Sequence, residues 1–287
     1  GDFLNVLDDL PLGTNVAAFV GHGTIKLNVM GFDPRKPTDE ELVEMKSQVR
    51  QAMKDGAIGM SSGLIYPPGV YSEPEEIIEM AKELRPYGGV YVSHLRNESH
   101  DLLKSVAEII EVAEEADIAV QLHHYKAMGI PNWGIVSEGL ELVEKARARG
   151  VDVTIDQYPY TASSTTLRAC LPPWVHEGGI PKIMERVKDP KTRRRIIDEI
   201  ENTTNWENFY KNSDGAKGVL ISYTPETPEY EGKTLEEISR DENRNPLEIL
   251  CDIIAKNKGN DTACYFMLSE DDRSEERRVG KECRSRW

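Results

Sequence analysis

The sequence predicts an α/β fold in which parallel strands alternate with helices. Short apolar runs rich in β-branched residues recur as far as Tyr160, and amphipathic segments with apolar residues at spacings of three and four lie between them. This regular alternation is typical of βα units. Strands are predicted at 16–21, 57–61, 89–94, 118 to 123 or 124, and 151–156, and helices at 39–55, 74–84, 102–115 and 135–149.

The first predicted helix has the clearest start signal. Thr38 and Glu41 form a capping box directly after Pro37, in which each of the two side chains can bind the other residue's backbone amide. The remaining helices depend on apolar spacing alone, and the strands depend on short apolar runs that end in polar residues.

The positions of those polar residues separate two architectures that share this alternation, an open doubly wound sheet and a (β/α)8 barrel. In a barrel the reactive residues lie at the carboxyl ends of the strands, on one face. His94 ends one predicted strand, His123 or His124 ends the next, and Asp156 ends the third. Three successive strands thus deliver polar groups at the same level, which favours a (β/α)8 TIM-type barrel. No GxGxxG or GxxxxGK[ST] motif supports a nucleotide site.

The βα rhythm breaks after Tyr160. We interpret the region around 167–260 as an insertion in a single domain of residues 1–272. It contains the proline-rich LPPW and is followed by a strand-like segment at 262–268. Within it we expect a charged helical stretch at 182–201, a strand at 219–223 and a helix at 235–258.

The last segment, 273–287, differs in character from the rest. It carries six Lys or Arg against three Glu. Its sequence, RSEERRVGKECRSRW, looks like the translation of a sequencing adapter, and we expect a non-native tail outside the fold. A genuine basic arm is the alternative. Because the chain opens with Gly rather than Met, we also expect its start to continue a domain.

Composition excludes some partners. The 287 residues include 35 Lys and Arg against 50 Asp and Glu, a net charge of -15, which offers no basic field for nucleic acid or anionic membranes. No apolar run approaches the roughly 20 residues that cross a bilayer. We therefore expect a soluble, cytoplasmic protein without nucleic-acid or membrane partners. The four cysteines have no CxxC spacing, so neither a zinc knuckle nor a disulfide framework is predicted.

His94 and His124 are the candidate metal ligands. Neighbouring strands lie about 4.8 Å apart, so imidazoles at their ends can share one metal ion. The alternative is two buried histidines bonded to backbone or carboxylate groups, but the matched positions favour a metal. Strand alternation allows only one of His123 and His124 to point inward, and since both faces of a barrel strand are covered, polarity leaves that choice open.

Four further residues near the strand ends have two interpretations each. Lys126 can bind a substrate carboxylate or be a solvated loop lysine. Arg96 and Glu98 can form a pair in the site or a surface ion pair that contributes little. His22 also follows a predicted strand, and there we expect a hydrogen-bonded core histidine rather than a ligand.

Six motifs together identify a family: VGHGT, GAIGMSSGLIYPPGVYS, YVSHLRNES, VQLHHYKAMG, ARARGVDVTIDQYPYTASSTTL and LPPW. They resemble the N-acyl-D-amino-acid deacylases, or D-aminoacylases, of the amidohydrolase superfamily, from about Asn15 to Asp272. The resemblance implies a partial (β/α)8 barrel of the metal-dependent amidohydrolase kind, with the first strands and the last strand missing. It also implies Zn²⁺ at the top of the barrel and a small N-acyl amino acid as substrate.

The resemblance also implies roles for individual residues. His94 and His124 match the metal ligands of the fifth and sixth strands, with His123 in the place of a serine. The predicted substrate-binding residues are Lys126, which would meet the substrate α-carboxylate, and Tyr66, Tyr158, Ser164 and Arg96.

In the implied reaction zinc polarises the acyl carbonyl and activates water, and the products are a carboxylate and a free D-amino acid. The HxH pair and the cysteine ligand of the family are expected before Gly1, and the aspartate that serves as general base is expected beyond the native end. Asp271 and Asp272 do not match that aspartate. We therefore expect this chain alone to be inactive and poorly folded, because missing strands expose sheet edges.

Two alternatives remain open. Amidohydrolases that open cyclic amides, such as hydantoinase-like or dihydroorotase-like enzymes, share the barrel and its histidines but lack the GLxYxPG and YPY motifs found here. A catalytically dead barrel acting as a binding module would keep the pocket and lose the ligands. The sequence indicates neither the preferred side chain nor the oligomeric state.

Overall fold

The computed structural model describes residues 2–202 and 206–273 and contains two sheets. The larger is a five-stranded parallel sheet in which the strands follow one another in chain order. The α/β prediction is confirmed, because every predicted strand of the first 160 residues lies in this sheet. Its strands are β1 (Phe19–Gly21), β2 (Gly59–Gly63), β3 (Val90–His94), β4 (Ala119–Leu122) and β5 (Val153–Ile155).

Helices connect the parallel strands, as predicted. The capping box of Thr38 and Glu41 is present with both of its hydrogen bonds. Two helices were not predicted: one begins at Asp2, and the other begins at His22, directly after β1, where a strand end was expected. The helices in this half are α1 (Asp2–Asp8), α2 (His22–Met30), α3 (Asp39–Lys54), α4 (Pro74–Ala81), α5 (Leu102–Ala116) and α6 (Val136–Ala148).

Strand register brings the carboxyl ends of the strands to one level. Gly63 of β2 pairs with His94 of β3, and Leu122 of β4 pairs with Ile155 of β5. Gly59 makes the close β2–β3 approach possible, because a Cβ there would lie 1.9 Å from the carbonyl oxygen of Val90. The polar residues that follow these strands therefore meet at one edge of the sheet.

The second half of the chain is built around a three-stranded antiparallel sheet with the order β6-β8-β7. The strands predicted at 219–223 and 262–268 are confirmed. Each long helix predicted here is instead two helices: a new helix starts at Pro190 and another at Pro246, since proline favours the first turn of a helix. The strands are β6 (Ala162–Thr165), β7 (Val219–Tyr223) and β8 (Thr262–Phe266), and the helices are α7 (Gly179–Lys188), α8 (Pro190–Asn202), α9 (Phe209–Asn212), α10 (Leu235–Glu242) and α11 (Pro246–Asn257).

Each half has its own apolar core. One core lies between the parallel sheet and helices α3 to α6 and includes Met45, Leu84 and Val106. The other lies between the antiparallel sheet and its helices and includes Leu250 and Tyr265. Within the described residues no helix is long and apolar enough to cross a membrane. The segment 274–287, which holds nearly all of the predicted tail, lies outside the described residues.

Candidate metal centre and substrate cavity

Two histidines meet at the carboxyl edge of the parallel sheet. His94 is the last residue of β3, and His124 lies two residues beyond the end of β4. Nδ1 of His94 lies 2.8 Å from Nε2 of His124, and the ring centroids are 4.5 Å apart. The structure therefore brings together the two side chains that the sequence predicted as metal ligands.

Glu98 joins this pair and was not predicted as a ligand. Its side chain is fully buried, with Oε1 3.2 Å from His124 Nδ1 and Oε2 3.5 Å from His94 Nε2. His94, Glu98 and His124 each offer one ligand atom within 4.8 Å of the others. The only signal in the sequence was the position of Glu98 four residues after a histidine that ends a strand.

The donor set fits a divalent metal ion. Among the described side chains, His94 Nε2 and both Glu98 carboxylate oxygens are buried atoms that lack an aligned hydrogen-bond partner, although ion-pair contacts surround them. Two imidazoles and one carboxylate are a set that binds Zn²⁺ in catalytic sites. Without a metal ion these three atoms lack aligned hydrogen-bond partners, and a bound ion would supply the missing contacts.

Protonation states in the cluster also suit metal binding. Burial lowers the pKa of His94 to about 3, so its imidazole is neutral at pH 7. Burial on its own raises the pKa of Glu98, but His94, Lys126 and His124 outweigh that effect and hold the pKa at about 2. A neutral imidazole and an ionised carboxylate bind a metal ion without first losing a proton.

A cavity of about 90 Å³ opens beside the cluster. Tyr66 donates a hydrogen bond to Thr165 Oγ1 at 3.2 Å, and the hydroxyl groups of Tyr158 and Ser163 lie 2.7 Å apart. Four of the five residues predicted to bind substrate thus border the same space as the histidines. The predicted site residues lining this cavity are Tyr66, His94, His124, Lys126, Tyr158 and Ser164.

Lys126 is held inside the cluster. Its Nζ lies 2.5 Å from Glu98 Oε2, donates to Nδ1 of His124 at 2.8 Å, and lies 5.6 Å from the ring centre of Tyr158. Only 7% of its side chain is exposed, so the interpretation as a solvated loop lysine is wrong.

Arg96 does not line this cavity, and the expected pair with Glu98 does not form. Its guanidinium makes two hydrogen bonds to the carboxylate of Glu108, at 2.7 and 2.9 Å, and also donates to the carbonyl oxygens of Val70 and Ser72. Glu98 is engaged with Lys126 instead. Arg96 borders a neighbouring cavity of about 320 Å³, which shares Tyr66 with the smaller one.

His123, the residue directly before His124, contacts Asp156 and is not part of the cluster. Nδ1 of His123 lies 2.7 Å from the carboxylate of Asp156, and half of the His123 side chain is exposed. His22 is fully buried and lies 3.1 Å from Glu76, as expected of a core histidine.

Glu207 is a second acidic residue at the site that the sequence did not reveal. Its carboxylate accepts a hydrogen bond from the backbone amide of Glu98 at 2.6 Å, across 109 positions of sequence. Burial, followed by the charge of Glu98, raises the pKa of Glu207 to about 8, so one of the two carboxyl groups is neutral at pH 7. No local pattern marks a contact at this separation.

A parallel α/β sheet with histidines and a carboxylate at the carboxyl ends of its strands is the arrangement of metal-dependent hydrolases built on a barrel. Comparison with known proteins shows which members of this class the chain resembles. The chain is 41% identical over 167 residues to a D-aminoacylase of Alcaligenes xylosoxydans xylosoxydans, a match that covers 58% of this chain and 34% of that protein.

Two solved structures are similar to this chain. Each match covers 94% of this chain and 47% of the chain in the solved structure. One was described as a D-aminoacylase that defines a novel subset of amidohydrolases (30% identity, TM-score 0.72). The other is an N-acyl-D-glutamate deacylase from Bordetella bronchiseptica complexed with zinc and a phosphonate inhibitor that mimics the tetrahedral intermediate (26% identity, TM-score 0.72). No family model matches the chain.

The resemblance predicted from the six motifs is therefore confirmed, and so is a partial barrel of the amidohydrolase kind. The chain spans about a third of the D-aminoacylase that it matches in sequence and just under half of the two solved structures.

Proposed function

We propose that the complete protein containing this chain is a zinc-dependent hydrolase that cleaves the amide bond of N-acyl-D-amino acids, yielding a carboxylate and a free D-amino acid. The observation that carries the proposal is the cluster of His94, Glu98 and His124 at the strand ends, beside a cavity lined by a buried cation and two tyrosines. The similarity to D-aminoacylase and to a zinc-bound N-acyl-D-glutamate deacylase supports the same reaction.

In this proposal His94, Glu98 and His124 hold the zinc ion. When bound, zinc supplies Lewis-acid chemistry that polarises a carbonyl group and lowers the pKa of water. Glu98 has two oxygens, so it can face the metal with one and Lys126 with the other. The hydrogen bond between the imidazoles fixes their mutual orientation before metal binding.

The other residues would bind and orient the substrate. Lys126 supplies a buried positive charge for the substrate α-carboxylate, which competes with Glu98 for the ammonium group. Burial raises the pKa of Tyr66, which keeps its hydroxyl protonated and able to donate a hydrogen bond. Tyr158 and Ser164 line the same cavity and complete the proposed substrate contacts. A cytoplasmic location, a single domain over 1–272 and a non-native tail are further parts of the proposal.

The test uses the coding sequence recovered on both sides of residues 1–272, because the chain spans only part of its relatives. N-acetyl-D- and N-acetyl-L-amino acids are supplied in parallel, and release of the free amino acid is measured with zinc and after chelation. We expect turnover of the D series that is lost on chelation and in His124→Ala, and retained in His100→Ala, which alters an exposed histidine outside the cluster. Turnover of cyclic amides alone, or chelator-resistant turnover, would contradict the proposal.

A further inference from the structure

The carboxylate of Asp156, directly after β5, binds the end of the neighbouring strand β4. Oδ1 accepts a hydrogen bond from the backbone amide of His124 at 2.5 Å. Oδ2 lies 2.7 Å from Nδ1 of His123 and also accepts from the side-chain amide of Gln121. One carboxylate therefore contacts three groups within four residues of chain.

The backbone of Asp156 holds the same segment from both sides. Its amide donates to the carbonyl oxygen of Leu122 at 3.1 Å, and its carbonyl accepts from the amide of Tyr125 at 2.9 Å. Asp156 thus contacts every residue from Gln121 to Tyr125 through either a side-chain or a backbone atom.

The segment that it holds has an unusual conformation. His124 has φ = 43°, in the left-handed region that residues other than glycine rarely occupy. Such a conformation persists where surrounding contacts enforce it, and it occurs often at functional sites. Here the turn ends the strand alternation after Leu122 and directs His124 toward His94, while His123 pairs with Asp156.

We propose that Asp156 is a positioning residue that sets the orientation of His124 for metal binding. The inference rests on the proposed zinc site. Asp156 is not among the residues lining the cavity beside the cluster, so the role that we propose for it is exerted through His124. Loss of an outer partner that orients a metal ligand typically weakens metal affinity about 10-fold to 100-fold.

A carboxylate suits this role better than an amide. Its two oxygens accept from the backbone, the imidazole and the Gln121 side chain together, whereas asparagine has a single acceptor oxygen. Asp156→Asn keeps the shape and enough acceptor capacity for the His124 amide. Asp156→Ala removes all three side-chain contacts. His123→Ala removes only the contact with the imidazole and leaves the hydrogen bond from the His124 amide to Asp156.

The experiment measures Zn²⁺ affinity by competition with a chromophoric chelator, alongside thermal unfolding without metal, in the protein extended on both sides as in the activity test. We expect Asp156→Ala to bind Zn²⁺ about 10-fold to 100-fold more weakly, Asp156→Asn to lie between it and wild type, and His123→Ala to stay within about threefold of wild type. If Asp156→Ala does not fold, the folded Asp156→Asn variant decides the test through the same affinity measurement.

Two results would overturn the inference in distinguishable ways. Equal affinity in wild type and the folded Asp156 variants would show that Asp156 does not act on the metal site, and the proposed zinc site would stand. No Zn²⁺ binding by the extended wild-type protein would remove the zinc site itself, and the role of Asp156 with it.

Discussion

The ammonium group of Lys126 lies 2.5 Å from the carboxylate of Glu98, and both side chains are buried. The site therefore contains its own ion pair before any substrate binds. Since Glu98 also faces both histidines, this pair connects the proposed metal ligands to the proposed substrate-binding residue. Lys126 and Glu98 should accordingly depend on each other for stability.

The first prediction concerns that dependence. Lys126→Met leaves the Glu98 carboxylate buried without its closest cation, and breaking a buried pair in this way costs about 3–5 kcal/mol. The double variant Lys126→Met with Glu98→Gln removes the stranded charge, so we expect it to be more stable than Lys126→Met alone. Urea unfolding of wild type, both single variants and the double variant gives the coupling free energy. Simple additivity of the two single effects would argue against a coupled pair.

A second prediction concerns pH and the buried cluster of His22, Lys26 and Glu76. Burial on its own raises the pKa of Glu76, but hydrogen bonds from His22 and Lys26 outweigh it and hold the pKa at about 2, below the ordinary value of 4.5. Because the pKa is lower in the folded state, ionised Glu76 stabilises the fold above pH ~4.5, and this contribution, on the order of 3 kcal/mol, is lost as the pH falls toward 2.

Glu76→Gln should therefore be destabilised at pH 7, and its difference from wild type should shrink between about pH 5 and pH 2.5. Glu141→Gln is the matched control, since Glu141 is exposed and paired only with the exposed Lys145 in the described part of the chain. Free energies of unfolding measured across this pH range test the effect. A Glu76→Gln difference that stays constant with pH would refute it.

A third prediction replaces the expected role of Arg96. Its guanidinium joins Glu108 of α5 to the carbonyl oxygens of Val70 and Ser72, in the loop that carries Tyr66. Lysine cannot reproduce this fork of donors. In Arg96→Lys we expect the loop to open more easily, so amide hydrogen exchange in peptides spanning 66–72 should accelerate about tenfold. Exchange in helix α3 should stay at the wild-type rate.

The control for Arg96 is Arg85→Lys, which alters a surface pair with Asp117. It should leave exchange in the Tyr66 loop at the wild-type rate. Unchanged exchange in Arg96→Lys would mean that the loop is held by its other contacts, such as the hydrogen bond from Lys26 to Ser72.

Local patterns in the sequence were enough to predict the parallel sheet. Strand and helix periods are properties of consecutive residues, so the strands, the capping box and the meeting of His94 with His124 followed from spacing and resemblance. The geometric choice between His123 and His124 did not follow, since strand alternation ends at Leu122 and the chain then turns, with His124 in the left-handed region and its amide held by Asp156.

Contacts across long sequence separations were also beyond prediction. Arg96 lies two residues from Glu98, but its partner is Glu108 on a helix, while Glu98 pairs with Lys126 from the next strand end. Similarly, Glu207 contacts Glu98 across 109 positions of sequence. Ion pairs of this kind depend on which side chains the fold buries together, and burial is not visible in a local pattern.

The central claim is that the strand-end histidines bind a metal ion, and zinc titration of the protein extended on both sides, as in the activity test, tests it most directly. Isothermal titration of wild type should show Zn²⁺ binding, abolished in His94→Ala with His124→Ala and retained in His100→Ala. Equal zinc binding by wild type and the double variant would contradict the account, because the metal would then lie at another site.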